Sequence, residues 1–198
     1  MAYINLEAHL PGVTGLLEFR RDAAEPLREL TQILLRGASS LTEAERELIA
    51  VAVSNKNECV YCTTSHAAAA DVYYGENETT QKVKEDIETA PVSNKMKALL
   101  AIALQVQESG KKVTPAAIQK AKENGANDLE IHDTVMIAAL FCFYNRYVDG
   151  LGTYAPTDSK YYSEMAVRLK EKGYYRPEQG YEDLKNEGIV SDVQKKLI

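Results

Sequence analysis

Apolar residues recur at helical spacing along nearly the whole chain, and alternating strand patterns are almost absent. Leu27, Leu30, Ile33, Leu34 and Leu35 form one such stripe, closed by Arg36 and Gly37, a cation and a permissive glycine suited to a helix C-terminus. Thr42 with Glu45 makes a capping-box pattern, so a second helix is predicted from Thr42 through Leu48, Ile49, Val51 and Ala52 towards Asn55. A third helix is predicted after Asn57. Glu78 to Glu88 reads as a more polar helix, Pro91 breaks the chain, and Ser93 caps the run Met96, Leu99, Leu100, Ala103, Leu104. Thr114-Pro115 starts another helix. Asn127 with Glu130 opens the most apolar segment, Val135 to Tyr144, whose small polar face predicts a central position and an end around Gly150 to Gly152. Tyr161, Met165 and Leu169 keep the spacing, and from Gly173 the pattern weakens. The expectation is an all-α, single-domain helical bundle. Its core covers about 10–172, and a C-terminal extension, 173–198, covers its own core or a neighbouring subunit.

Composition narrows the function. With 198 residues, 45% hydrophobic and 26% charged, the chain can bury one sizeable core. A formal charge of -6 argues against a phosphate-binding surface, so nucleic acid is not an expected partner. Residues Met1 to Pro11 lack a basic start and apolar stretch, and no segment approaches the roughly 20 apolar residues of a membrane span, so the expected location is cytoplasmic, with no membrane partner. Three cysteines, two of them three positions apart, fit a secreted disulfide framework poorly and point to redox chemistry or metal binding.

The segment Asn57-Glu58-Cys59-Val60-Tyr61-Cys62-Thr63-Thr64-Ser65-His66 concentrates that chemistry. At about 100° per residue, Cys59, Cys62 and His66 share one helical stripe, and side chains three apart stand close enough for a disulfide after modest adjustment. Two effects favour a thiolate, at different cysteines. A first helical turn would stabilise negative charge at Cys59, whereas His66, one turn beyond Cys62, would accept that cysteine's proton. This reading makes Cys62 the attacking thiol and Cys59 the resolving one; the reverse order stays open. Glu47, on the preceding helix, is a candidate to orient and charge His66, with Glu43, Glu45 and Glu58 as competitors.

The run from Leu41-Thr42 to Glu47, then eleven residues, then Cys59-x-x-Cys62-x-x-x-His66, resembles the alkylhydroperoxidase D-like group of the carboxymuconolactone decarboxylase superfamily. Ala138-Ala139-Leu140-Phe141 to Asn145-Arg146, ending at Asp149-Gly150-Leu151-Gly152, is similar to that group's uncharacterised peroxidase-related branch. The resemblance implies an all-helical subunit in a homo-oligomer that reduces hydroperoxides without haem, metal or other cofactor. It implies Cys62 as peroxidatic cysteine, Cys59 as its partner, Glu47 and His66 as proton relay, and a dithiol donor such as a lipoylated protein or a small thiol carrier. Tyr61 departs from the pattern, standing where the best-described members place a second relay histidine. The related decarboxylases generally lack the cysteine pair, which makes decarboxylation the less favoured chemistry.

Two rival readings belong to other classes. Cys59, Cys62 and His66 would bind zinc with Glu47 or Cys142, or the cysteine pair would serve a redox sensor or scaffold without turnover. Elsewhere, Cys142 is expected to be a small buried side chain, His132 a surface residue, and His9 to have no evident partner. Asn145, Arg146 and Asp149 are expected at a site mouth or subunit contact, or with Arg146 in an internal ion pair. The tyrosine pairs at 73, 74, 161, 162, 174 and 175 are expected to serve packing and oligomer contacts.

Overall fold

The computed structural model describes residues 2–176, all helix and connecting loop with no strand among them. Helices α1 (Gly12–Phe19) and α2 (Arg21–Arg36) are separated by the non-helical Arg20, and α2 stops at an extended Gly37. In α3 (Glu43–Lys56) the capping box closes both ways, Thr42 accepting from the Glu45 amide and the Glu45 side chain accepting from the Thr42 amide. Cys59 is the N-cap of α4 (Val60–Tyr74), which ends at Gly75 in the left-handed region. Helix α5 is shorter than the pattern predicts, Glu78–Glu85, because Asp86 turns extended and its carboxylate accepts the Glu88 amide in a turn. Ser93 caps α6 (Asn94–Glu108), Thr114 caps α7 (Pro115–Glu123), and Asn127 forms a second closed capping box at α8 (Asp128–Gly150). Helix α9 (Ser159–Lys172) completes the described chain. No helix among the described residues is long and apolar enough to cross a membrane.

The central element is α3 rather than the more apolar α8. Helices α2, α4, α5, α6 and α8 all pack on α3, and every residue from Arg46 to Ser54 is buried. Helix α8 buries Ile137, Ala138, Leu140, Phe141 and Tyr144 towards the core but exposes Leu129 and Phe143. Ile33 of the α2 stripe is exposed as well. Helix α3 reads as only moderately apolar because two ionic side chains, Arg46 and Glu47, lie inside it. Arg46 is satisfied by the end of α2, donating to Gly37 O at 2.8 Å and Leu34 O at 3.3 Å. Around it, Leu48, Ile49, Met96, Leu99, Leu100, Ile102 and Ile137 are fully buried. Truncating one of the leucines to alanine there costs about 2–5 kcal/mol.

A second, smaller cluster positions the site. Leu16, Cys59, Tyr61, Cys62, Val148, Tyr161 and Tyr162 pack together where α4 meets α1, α8 and α9. Gly12 has φ +53°, and a β-carbon there would run into the Tyr61 ring, so only glycine lets α1 start against α4.

Candidate active site

Glu47 is fully buried, and its carboxylate accepts three hydrogen bonds: from Arg36 Nη2 at 2.6 Å, from Tyr174 Oη at 2.7 Å, and from His66 Nδ1 at 2.6 Å. Burial by itself pushes the Glu47 pKa up. Electrostatic attraction and a hydrogen bond from His66, with Arg36 and Tyr174, outweigh it and hold the group at about 2. The carboxylate is therefore ionised and can only accept, so Nδ1 of His66 carries a proton and Nε2 is left for the cavity side. Arg36 also stacks between the Tyr73 and Tyr174 rings, 5.2 and 4.9 Å from their centroids, and the His66 ring meets Phe141 edge-on at 4.5 Å. Burial, then the Glu47 charge, raises the Tyr174 pKa well above the usual phenol value, so its hydroxyl stays a donor.

The thiols lie at the N-terminal end of α4, the helix that also carries His66. Cys59 is fully buried and Cys62 nearly so, and both are reduced. Cys59 is the N-cap of α4, with extended backbone, instead of lying in its first turn, and its sulfur makes no capping hydrogen bond. The preceding Glu58 sits at φ 61°, a left-handed conformation costing a non-glycine residue about 1 kcal/mol or more, and the turn closes with the Cys59 amide donating to Ser54 O at 3.1 Å. The Cys62 thiol is pushed well above the usual thiol range, first by hydrogen bonding to Cys59, then by burial and the charge of Cys59. The Asn145 amide opposes this. Asn145 is itself held from both sides, donating to Ser54 Oγ at 3.0 Å and accepting from Asn57 Nδ2 at 2.8 Å, while Gln107 Nε2 donates to Asn57 Oδ1 at 2.8 Å. Asp149 is in hydrogen-bonding contact with Cys59.

Thus Glu47 meets His66, and Cys59 meets Cys62. No direct hydrogen bond joins His66 to Cys62 among the described residues; the two side chains share the wall of one cavity of about 510 Å3. Tyr61 also reaches that wall, but its hydroxyl pairs with Tyr161 Oη at 3.1 Å, a packing role between α4 and α9. Among the described residues no group of three or more His, Cys, Asp or Glu side chains converges to hold a metal ion.

Several residues differ from their sequence reading. Cys142 is half-buried and accepts from Asn57 Nδ2 at 3.7 Å. Arg146 is exposed and donates to the Cys142 carbonyl at 2.9 Å, forming no ion pair among the described residues. His9 lies 3.7 Å from Glu7, whereas His132 is exposed beside Asp133, as its sequence position predicts. Arg36 and Tyr174 are the site residues that the sequence reading missed. Arg36 read as an ordinary C-terminal helix cation, and Tyr174 lies in the stretch where periodicity fades. The rest of the extension, from 177 on, lies outside the described residues.

Residues 21–85, which span α2 through α5 and hold Arg36, Glu47, both helix cysteines and His66, match the model of the carboxymuconolactone decarboxylase family. No curated protein is similar enough in sequence to register as a relative. Among solved structures, an alkylhydroperoxidase core protein from Ralstonia eutropha, described as an uncharacterized peroxidase-related protein, superposes with a TM-score of 0.71 at 27% identity, covering 79% of this chain and 80% of that one. An uncharacterized peroxidase-related protein from a Silicibacter species gives 0.70 at 24% identity, over 77% and 78% of the two chains. A protein of unknown function from Agrobacterium tumefaciens shares the fold at 0.65 and 18% identity, over 80% of this chain and 100% of that one. The chain is thus similar to the carboxymuconolactone decarboxylase family over residues 21–85, the segment that holds the Glu47–His66 pair, Cys59 and Cys62, and it shares the helical fold of the alkylhydroperoxidase-like, peroxidase-related structures over most of its length.

Proposed function

We propose that the chain is a thiol-dependent peroxidase that reduces organic hydroperoxides through Cys62 and Cys59. The observation that carries this reading is the Cys62 thiol, which touches Cys59 and lines a cavity whose wall also presents His66, itself fixed by an ionised buried carboxylate. Because Cys62 is protonated at rest, attack needs a base. His66 Nε2 takes the Cys62 proton across the cavity, and Glu47 stabilises the resulting imidazolium. The thiolate then attacks a peroxide oxygen. An S–O bond forms as the O–O bond breaks, and the alkoxide leaves as an alcohol with the proton returned by His66. Cys62 is oxidised to the sulfenic acid and the peroxide is reduced. The Cys59 thiol displaces water from that sulfenic acid, giving the Cys59–Cys62 disulfide. An external dithiol, a lipoyl group or a small thiol carrier, then exchanges with the disulfide, restoring both thiols and leaving oxidised itself.

Support for the order of the cysteines comes from exposure to the cavity: Cys62 lines it and Cys59 does not. The test is hydroperoxide consumption with a dithiol in excess. Cys62→Ser is expected to abolish turnover and Cys142→Ser to leave it intact; undiminished turnover in Cys62→Ser would remove the mechanism.

A further inference from the structure

Tyr174 belongs to the short segment that follows α9, well beyond residues 21–85, yet its side chain ends inside the Glu47–His66 pair. Built contacts steer the chain there. Helix α9 stops at Gly173 with φ +66°, where a β-carbon would fall 2.3 Å from Gln32 Oε1 on α2, and that same oxygen accepts the Tyr174 amide at 2.7 Å. The Tyr174 ring then lies against the Arg36 guanidinium and nearly parallel to the His66 imidazole, at 15° with centroids 6.3 Å apart. Phe141 meets the imidazole edge-on, so the ring is held from two sides.

The Tyr174 hydroxyl meets both members of the pair. Its one proton goes to Glu47 Oε1 at 2.7 Å, and its oxygen stands 3.4 Å from His66 Nδ1, whose proton faces Glu47 Oε2. Arg36 also donates to Oε1, which leaves Oε2 to His66. A buried carboxylate with no other donor would grip an imidazolium so firmly that His66 would keep its second proton and offer no base. Each donor on Oε1 draws charge away from the imidazole and loosens that grip. The contact to the carboxylate decides the sign, because a charge-assisted bond at 2.7 Å outweighs a contact at 3.4 Å.

Resting on the peroxidase reading above, we propose that Tyr174 is a positioning residue of the proton relay: by holding Glu47 on Oε1 and lying along the His66 ring, it keeps Nε2 unprotonated at rest and turned to the cavity where Cys62 gives up its proton. It acts through His66 and takes no proton itself. Of the other groups able to carry charge, Glu47 reaches His66 from α3 and Arg36 stands behind it on α2. Cys62 on the same helix, Tyr144 on α8, and Arg28, Arg168 and Lys172 share the cavity wall. A phenylalanine at position 174 alters none of them.

The experiment follows formation of the Cys59–Cys62 disulfide in the reduced full-length chain after mixing with tert-butyl hydroperoxide, quenched at intervals and read by mass, between about pH 5 and about pH 9. Tyr174→Phe keeps the ring and loses only the hydroxyl. Its rate near neutral pH is expected to fall about tenfold, the worth of one charge-assisted hydrogen bond, and to return towards the parent's as pH rises, which displaces the acid limb of the profile upward by about one pH unit. Gln32→Leu removes the acceptor of the Tyr174 amide and leaves Glu47 and His66 as they are, so it is expected to displace the limb the same way by less. Tyr175→Phe, at the exposed next residue, is expected to leave the limb in place. An acid limb that stays put or moves downward in Tyr174→Phe, whether the rate is unchanged or falls equally at every pH, overturns the proposal.

A second measurement needs no peroxide. His66 is one of three histidines, and its ring-carbon NMR signal, assigned with His66→Gln, is expected to follow pH along the same displaced course in Tyr174→Phe. If that course is displaced and neither protein consumes hydroperoxide, the peroxidase reading falls and the hold of Tyr174 on His66 stands. If it is not displaced, the role given to Tyr174 fails whatever the turnover.

Discussion

Replacing Glu47 by glutamine changes almost no volume and removes one charge from the best-connected group in the site. All three of its partners, Arg36, His66 and Tyr174, donate to it, so an amide there turns part of an all-acceptor surface into a donor facing donors. The depression of its pKa from the ordinary 4.5 to about 2 corresponds to roughly 3 kcal/mol favouring the folded, ionised form. Deleting one partner of a buried ion pair costs about 3–5 kcal/mol, a consistent figure, because the Arg36 side chain, 4% exposed, keeps its charge with nothing to balance it. The sign follows from the folded pKa lying below the unfolded one. The stabilisation is complete above about pH 4.5 and is lost as pH falls from there towards about 2. Urea unfolding followed by circular dichroism is expected to give Glu47→Gln about 3 kcal/mol less stability at neutral pH, with an unchanged m-value and a flatter decline in acid. A variant within about 0.5 kcal/mol of the parent, declining in acid with the parent's slope, would refute the claim that this carboxylate is charged and clamped.

Other consequences are open to measurement. Gly12→Ala should lose about 3 kcal/mol in thermal unfolding, and Tyr61→Ala in the same chain should recover part of that loss, since the added methyl collides with that ring. Glu58→Gly should raise stability, or at worst leave it unchanged, by relieving a left-handed non-glycine residue worth about 1 kcal/mol; a clear loss would show that the Glu58 side chain matters more than its backbone. Alkylation of Cys62 by iodoacetamide should require alkaline pH, and Asn145→Ala should move that profile further upward by removing the amide that opposes the rise. Tyr174→Phe should cost about 1 kcal/mol by leaving Glu47 one donor short, a loss readable in the same urea titration.

The helices were legible because their signals are local. Both capping boxes, the Ser93 and Thr114 caps and the apolar spacing each lie within a few residues of one another, and the fold uses them directly. Burial was harder to read. Helix α8 looked central because it is apolar, yet α3 is surrounded on more sides and owes its modest apolar character to Arg46 and Glu47, which the fold neutralises from neighbouring chain. For the site, the three-and-four spacing brought out Cys59, Cys62 and His66. Nothing local separates Glu47 from Glu43 and Glu45, because its partners Arg36 and Tyr174 lie 11 and 127 positions away.

The most direct measurement of the central claim is mass spectrometry of the reduced protein after a single equivalent of organic hydroperoxide. The account predicts rapid loss of two hydrogens through a disulfide joining Cys59 to Cys62, with Cys142 still free. In Cys59→Ser the oxidation should stop at a sulfenic acid on Cys62. Oxidation that begins at Cys59 or Cys142, or a protein that leaves the hydroperoxide untouched, would contradict it.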